Sequence, residues 1–221
     1  MMEYLRSRKP KFTVLIGSRA RGTHARHSDI DIVRIGHREP VPLNLVGAQR
    51  QSDISYVDYE SIKFSDLYRN GSLFLHHIFT EGTLLQGRRR DWNYLKRHFK
   101  VKTNFTNEIS QNRRLLRWLQ NGEKFKGATM PYLSHSFRAL KNLAIFSLAQ
   151  KRDYVFDKRG ALSKAFPRFD PEAITFLIEA NDIFERSVRP TRNYEVNPAT
   201  VEYVRKQIAH AINFPRQHAY R

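Results

Sequence analysis

Hydrophobic positions change their spacing after roughly the first third of the chain. Before that point they come in short β-type runs bounded by turn formers: Phe12 to Ile16, Ile30 to Ile35 and Ile54 to Tyr59. From Ser61 onward they recur every three or four residues. Leu67, Leu75 and Ile78 do so in one stretch and Phe105, Ile109, Leu116 and Leu119 in the next, which predicts helices. Tyr132 to Gln150, Pro171 to Arg186 and Pro198 to Asn213 carry the same period. Pro171 and Pro198 suit a first helical turn, where their missing N–H costs nothing, and Asp170 and Asn197 precede them as N-caps. Lys124 to Pro131 and Ser187 to Pro198 read as loops. The pattern predicts a sheet-containing amino-terminal module followed by a helical one. The charged stretch Gln86 to Lys102 separates them, and the expected domains are 1–95 and 96–221.

Composition narrows the class. With 40% hydrophobic residues over 221, the chain can fill a real core. No uncharged apolar run approaches the ~18 residues of a membrane span, and MMEYLRSRKPKF lacks the apolar stretch of a signal peptide, so a cytoplasmic protein with no membrane partner is expected. There is no cysteine, which excludes disulfides and thiolate metal sites; any metal is held by oxygen or imidazole. Lys and Arg outnumber Asp and Glu by 39 to 21, a formal +18. Each phosphate neutralised by such a surface releases condensed counterions, so the charge points to a polyanion such as nucleic acid.

The stretch that carries chemistry is LIGSRARGTHARHSDIDI, Leu15 to Ile32. An apolar strand enters, Gly17 and Ser18 turn sharply, and Asp29, Ile30 and Asp31 lie on a second apolar strand. Side chains alternate along a strand, so Asp29 and Asp31 point one way while Ile30 and Ile32 pack behind them. Two adjacent carboxylates repel unless a divalent cation compensates them, and oxygen ligands suit Mg²⁺ or Mn²⁺. Gly17 lets the backbone approach a phosphate, and Ser18 to Arg21 open a short helix whose free N–H groups attract an anion. A nucleoside triphosphate fits between the two halves, with Arg19 and Arg21 at hand, in the two-metal manner of in-line displacement.

In order and spacing, GSRARGTHARHSDIDI resembles the signature of the DNA polymerase beta-like nucleotidyltransferase superfamily, above all its small minimal and antibiotic-modifying branches. The resemblance is firm over Phe12 to Ile35, extends to Gly87 and fades beyond. It implies an α+β fold, a small mixed sheet with flanking helices followed here by an all-helical carboxy-terminal module. It further implies a triphosphate seated on Gly17 and Ser18, and a third carboxylate on a later strand. In QSDISYVDYE both Asp53 and Asp58 compete for that place, and their opposite parity allows only one on a regular strand. Asp53 is favoured because it enters the strand on the face of Ser55 and Val57; Asp58 stays open, since Val57-Asp58-Tyr59 fits the same pattern. Members often donate a basic residue from the helical module, which makes Arg138 and Lys141 candidates, on one helix face with Ser134.

The implied activity is transfer of a nucleoside monophosphate from a triphosphate to an acceptor hydroxyl with release of pyrophosphate. The charge favours an RNA acceptor such as tRNA, in the manner of a toxin or defence factor. The alternatives are a protein or a small molecule of aminoglycoside type, and an inactive fold serving as an RNA-binding or antitoxin protein. Weaker signals remain. Arg113, Arg114 and Arg117, and upstream Arg88 to Arg90, Lys96, Arg97, Lys100 and Lys102, read either as a phosphate-tracking surface or as solvated faces. His24 and His27 lie between the turn and the acids, His76 and His77 on an apolar helix, and none has zinc spacing. Glu172, Glu179, Asp182 and Glu185 gather on the Pro171 helix, either to hold a cationic substrate or to pair with basic residues of the same chain. Oligomeric state is not legible.

Overall fold

The computed structural model describes residues 11–24, 29–120, 128–186 and 196–213. It divides into two compact units, 1–102 and 103–221, with an α+β fold. Lys102 donates its N–H to Gly71 O (3.0 Å), which holds the chain to the first unit as far as that residue.

The first unit runs β1 (Phe12–Ile16), α1 (Gly17–Arg21), β2 (Ile30–Ile35), α2 (Leu43–Val46), a 3-10 turn (Gln51–Asp53), β3 (Ile54–Tyr59), α3 (Ser61–Arg69), α4 (Leu73–Glu81), β4 (Thr83–Gln86) and α5 (Arg89–His98). The strands lie in the order β3-β2-β1-β4. β1 is antiparallel to both its neighbours, with Ile16 opposite Asp31 and Leu15 opposite Thr83, while β2 and β3 are parallel, with Asp31 opposite Ser55. The sheet is therefore mixed. Its two faces are sorted by the alternation expected of strands. Phe12, Val14, Ile16, Val33 and Ile35 bury one face under Phe64, Tyr68, Leu75, Ile78, Phe79, Trp92 and Leu95 of α3, α4 and α5. Ile30, Ile32 and Ile54 bury the other against Val41.

The three strands predicted from pattern form as expected. β4 was not predicted. Buried Thr13 ties it to the sheet by donating to Gln86 Oε1 (3.1 Å), and the same hydroxyl lies 3.0 Å from His37 Nε2. The boundary expected at 95/96 falls inside α5, whose Trp92 and Leu95 belong to the sheet's core.

The second unit contains α6 (Thr106–Gln120), α7 (Thr129–Ala149), α8 (Lys158–Ala165), α9 (Pro171–Arg186) and α10 (Pro198–Asn213). The expected stripe of Leu133, Phe137, Leu140, Ala144 and Leu148 is buried against Ile174, Leu177, Val204 and Ile208. Asp170 Oδ1 accepts from Glu172 N (3.1 Å) and Asn197 Oδ1 from Thr200 N (2.8 Å), so both act as caps. The loop expected over Lys124 to Pro131 ends earlier: Thr129 to Pro131 already belong to α7, because Pro131 sits in a first turn that tolerates it. Residues 124–127 of that loop lie outside the described residues, as does most of Ser187 to Pro198.

Candidate nucleotidyltransfer site

Gly17 follows the last residue of β1 and opens α1 with φ +74°, a left-handed conformation that favours glycine. A Cβ placed there would stand 2.9 Å from Asp31 Oδ2. The carboxylate of β2 thus lies directly over the turn, in the space that glycine leaves open. α1 lasts five residues and stops at Gly22 (φ +71°), whose N–H donates to Arg19 O (3.2 Å).

Asp31 shares its strand face with Val33 and Ile35, at the end where the apolar core gives way to solvent. Asp29 lies two residues upstream on extended chain and is likewise half-buried. Parallel pairing puts Ile54 opposite Ile30, so Asp29 and Asp53 each immediately precede the same rung. Asp53 has the parity of Asp31 and Ser55 and sits exposed at the end of the 3-10 turn, where its Oδ2 accepts from Arg50 N (3.0 Å). Asp58 occupies the other face. It takes a bidentate ion pair from Arg34, 2.7 Å from Nε and 2.9 Å from Nη2, and these hydrogen bonds hold its carboxyl below the usual value. Arg34 also donates to Arg38 O and Glu39 O and lies 3.9 Å from the Tyr56 ring centroid, so this pair closes the back of the sheet.

Arg21 has its own acid partner on α4. Its Nη1 donates to Glu81 Oε2 of α4 (2.8 Å), and His77 Nε2 lies 3.2 Å from the same oxygen. Burial lowers the His77 pKa, opposed by Glu81. This cluster anchors α1 to α4. Sequence reading placed His77 on a partly buried helix but gave no sign of its partners; only the i, i+4 spacing of His77 and Glu81 hinted that they share a face. Arg19 is half-buried on α1, His24 is exposed, and His27 lies outside the described residues.

In the second unit Arg138 Nη1 donates to Glu185 Oε1 (3.1 Å), which also accepts from buried Ser134 (3.2 Å); Lys141 lies 5.9 Å from the Phe137 ring centroid. Asp182 pairs with Lys158 (2.9 Å). Two of the four clustered acids on α9 are thus taken up by basic residues of the same unit.

Among the described residues no group of three or more His, Asp and Glu converges as a metal cluster. Mg²⁺ asks for less, since it is commonly held by one or two carboxylates with waters and substrate phosphates completing its shell. The donors suit it chemically: Asp31 offers a hard oxygen beside the Gly17 turn, and Asp29, two residues upstream, offers a second carboxylate.

Residues 1–91 match the family described as "Polymerase beta, Nucleotidyltransferase". A solved structure, "Crystal structure of the toxin-antitoxin with AMP-PNP", is similar to this chain at 21% identity and a TM-score of 0.26, covering 43% of this chain and 75% of that one. No curated protein matches the chain. No helix among the described residues is long and apolar enough to cross a membrane.

Proposed function

We propose that the chain transfers a nucleoside monophosphate from a triphosphate to an acceptor hydroxyl on RNA, with Asp29 and Asp31 holding Mg²⁺. The observation that carries this reading is the placement of the Asp31 carboxylate over the bare Cα of Gly17, which puts metal-binding oxygens beside a turn open to phosphate. Gly17 and Ser18 seat the β- and γ-phosphates. Asp53, one rung from Asp29, takes the proton of the acceptor hydroxyl as its oxygen attacks the α-phosphorus; the bond to the β-phosphate oxygen breaks and pyrophosphate leaves. Bound Mg²⁺ supplies positive charge that offsets the charge on the phosphates. Arg21, tied to Glu81, holds α1 in place, whereas Arg19 is the basic side chain assigned to phosphate; Arg138 and Lys141 are the cations offered by the helical unit. The RNA acceptor follows from the formal +18, which repels a cationic antibiotic and favours a polyanion.

Incubation with each labelled nucleoside triphosphate, Mg²⁺ and separate pools of tRNA, protein and aminoglycoside tests this. Label is expected in RNA, abolished by EDTA. Replacing Asp29 and Asp31 together by Asn is expected to lower transfer by at least about 100-fold, the cost of losing ~3 kcal/mol of transition-state stabilisation. Label in protein alone overturns the acceptor. A double variant with the full biological effect of the wild type leaves the inactive RNA-binding or antitoxin reading in its place.

A further inference from the structure

Along the outer edge of the sheet, β4 and α5 enclose an open groove of about 510 Å³ lined by Thr83, Leu85, Arg89, Trp92, Asn93 and Lys96. We propose that this groove is the track on which the backbone of a single-stranded RNA acceptor lies as its end enters the site; the proposal rests on the RNA-acceptor reading above.

Charge is the first argument. Arg88, Arg89, Arg90, Lys96, Arg97 and Lys100 are all exposed, and no ion pair engages any of them among the described residues. Several other cations of the unit have an acid as partner: Arg21 has Glu81, Arg34 has Asp58 and Arg69 has Asp66. The helical period places Arg89, Asn93 and Lys96 along the groove side of α5 and Arg90 and Arg97 on its crest, while Asp91, Trp92 and Leu95 are buried. The cations therefore form a ribbon beside the groove, and Asp91, the acid next to them in sequence, is buried beneath it.

Position on the helix is the second argument. Arg88, Arg89 and Arg90 stand at the N-terminal start of α5, where the helix dipole is positive and folding favours acids over bases. These three cations oppose the dipole, and Asp91, the acid of the same first turn, offsets only part of their charge. Phosphates lying on them remove the conflict, since they answer the side chains and the dipole together.

Location is the third. The groove begins at Thr83, which pairs with Leu15 on β1, two residues before Gly17. A strand running along β4 thus ends beside the turn over which Asp31 is placed. Half-buried Leu85 gives the groove an apolar patch for sugar and base faces, and the cations a wall for phosphates.

The test uses the full chain and a labelled single-stranded RNA oligonucleotide, with anisotropy titrations over a range of NaCl concentrations. The triple variant Arg89→Gln, Lys96→Gln, Arg97→Gln is compared with a charge-matched control, Arg38→Gln, Lys63→Gln, Arg69→Gln. Loss of three phosphate contacts is expected to flatten the slope of log K against log salt by about 2 and to weaken binding at least ~10-fold near 0.1 M salt. The control keeps the wild-type slope, and binding of triphosphate without RNA is unchanged in both. Equal slopes in the two triple variants overturn the proposal, as does competition by poly-glutamate as strong as by RNA, which assigns the groove to an acidic protein segment. Transfer assays on the wild-type chain separate the two readings: RNA held on α5 by a wild-type protein that transfers nothing sinks the enzymatic function alone, whereas transfer to RNA with an unaffected α5 variant sinks the groove alone.

Discussion

Two glycines in α1's neighbourhood share almost the same backbone and differ in what surrounds them, which permits a controlled perturbation. Gly17 has φ +74° and Gly22 φ +71°; a Cβ on Gly17 meets Asp31 Oδ2 at 2.9 Å, whereas one on Gly22 meets nothing within 4 Å. Placing Ala in a left-handed conformation costs about 1 kcal/mol at either site. For a domain of this size that lowers the melting temperature by roughly 4–8 °C. The Gly17 contact adds little to that cost, because the atom it strikes is the far end of a flexible side chain and not backbone. Function responds differently. The Asp31 carboxylate must retreat by several tenths of an ångström from its place over the turn, and misplacement of about 1 Å costs on the order of 100-fold in rate. Gly17→Ala and Gly22→Ala are therefore expected to melt alike, while pyrophosphate release at saturating Mg²⁺ falls roughly 10- to 100-fold in Gly17→Ala alone. Thermal melts by circular dichroism and initial rates decide it. Equal activity in the two variants would refute the claim that this carboxylate and this turn form one site.

Other consequences concern stability. Asp58→Asn removes the carboxylate partner of Arg34 and is expected to cost about 1–2 kcal/mol, discounted for partial exposure. Since the folded-state pKa of Asp58 is depressed, that contribution is present above the ordinary carboxylate range and lost as pH falls through the lowered value; urea melts of wild type and variant should converge only in acid. Tyr68, whose hydroxyl donates to Leu95 O (2.9 Å), has a pKa pushed up to about 12 by burial and then by Tyr94. Tyr68→Phe should cost about 1 kcal/mol at neutral pH; the Tyr68 contribution is present below pH ~10 and disappears as pH rises through about 12, which ultraviolet titration of tyrosinate would follow. In the helical unit Asn197→Ala removes the cap on Thr200 N and should cost about 1 kcal/mol, seen as a lower urea midpoint at unchanged slope.

Where a segment's own residues decide its structure, the sequence was readable. β1, β2 and β3 announce themselves by β-branched runs between turn formers, and α9 and α10 by Pro at their first turn behind an Asp or Asn. β4 was hidden because Thr83-Leu84-Leu85-Gln86 is too short to show a period and pairs with a strand far upstream. The placement of Asp31 over Gly17 was foreshadowed by alternation alone. Asp58 and Arg34 were not, because their pairing depends on a parallel register that links segments through α2 and the 3-10 turn. The pairing of Arg21 with Glu81 was not legible either, because Glu81 comes from a different helix. Spacing reports which residues share a face; it is silent on which distant face they meet.

β1 lies inside the sheet, with β2 on one flank and β4 on the other, and this bears on how the protein emerges during synthesis. The hairpin of β1 and β2 brings Gly17 and Asp31 together from neighbouring sequence, so that pairing closes early. The other flank of β1 waits until Gln86 is made, leaving Thr13 and Val14 with open hydrogen-bonding groups through most of the first unit's translation. An unfilled edge of that kind is vulnerable to strand capture by another nascent chain, and truncations ending before Thr83 should aggregate rather than persist as small soluble fragments.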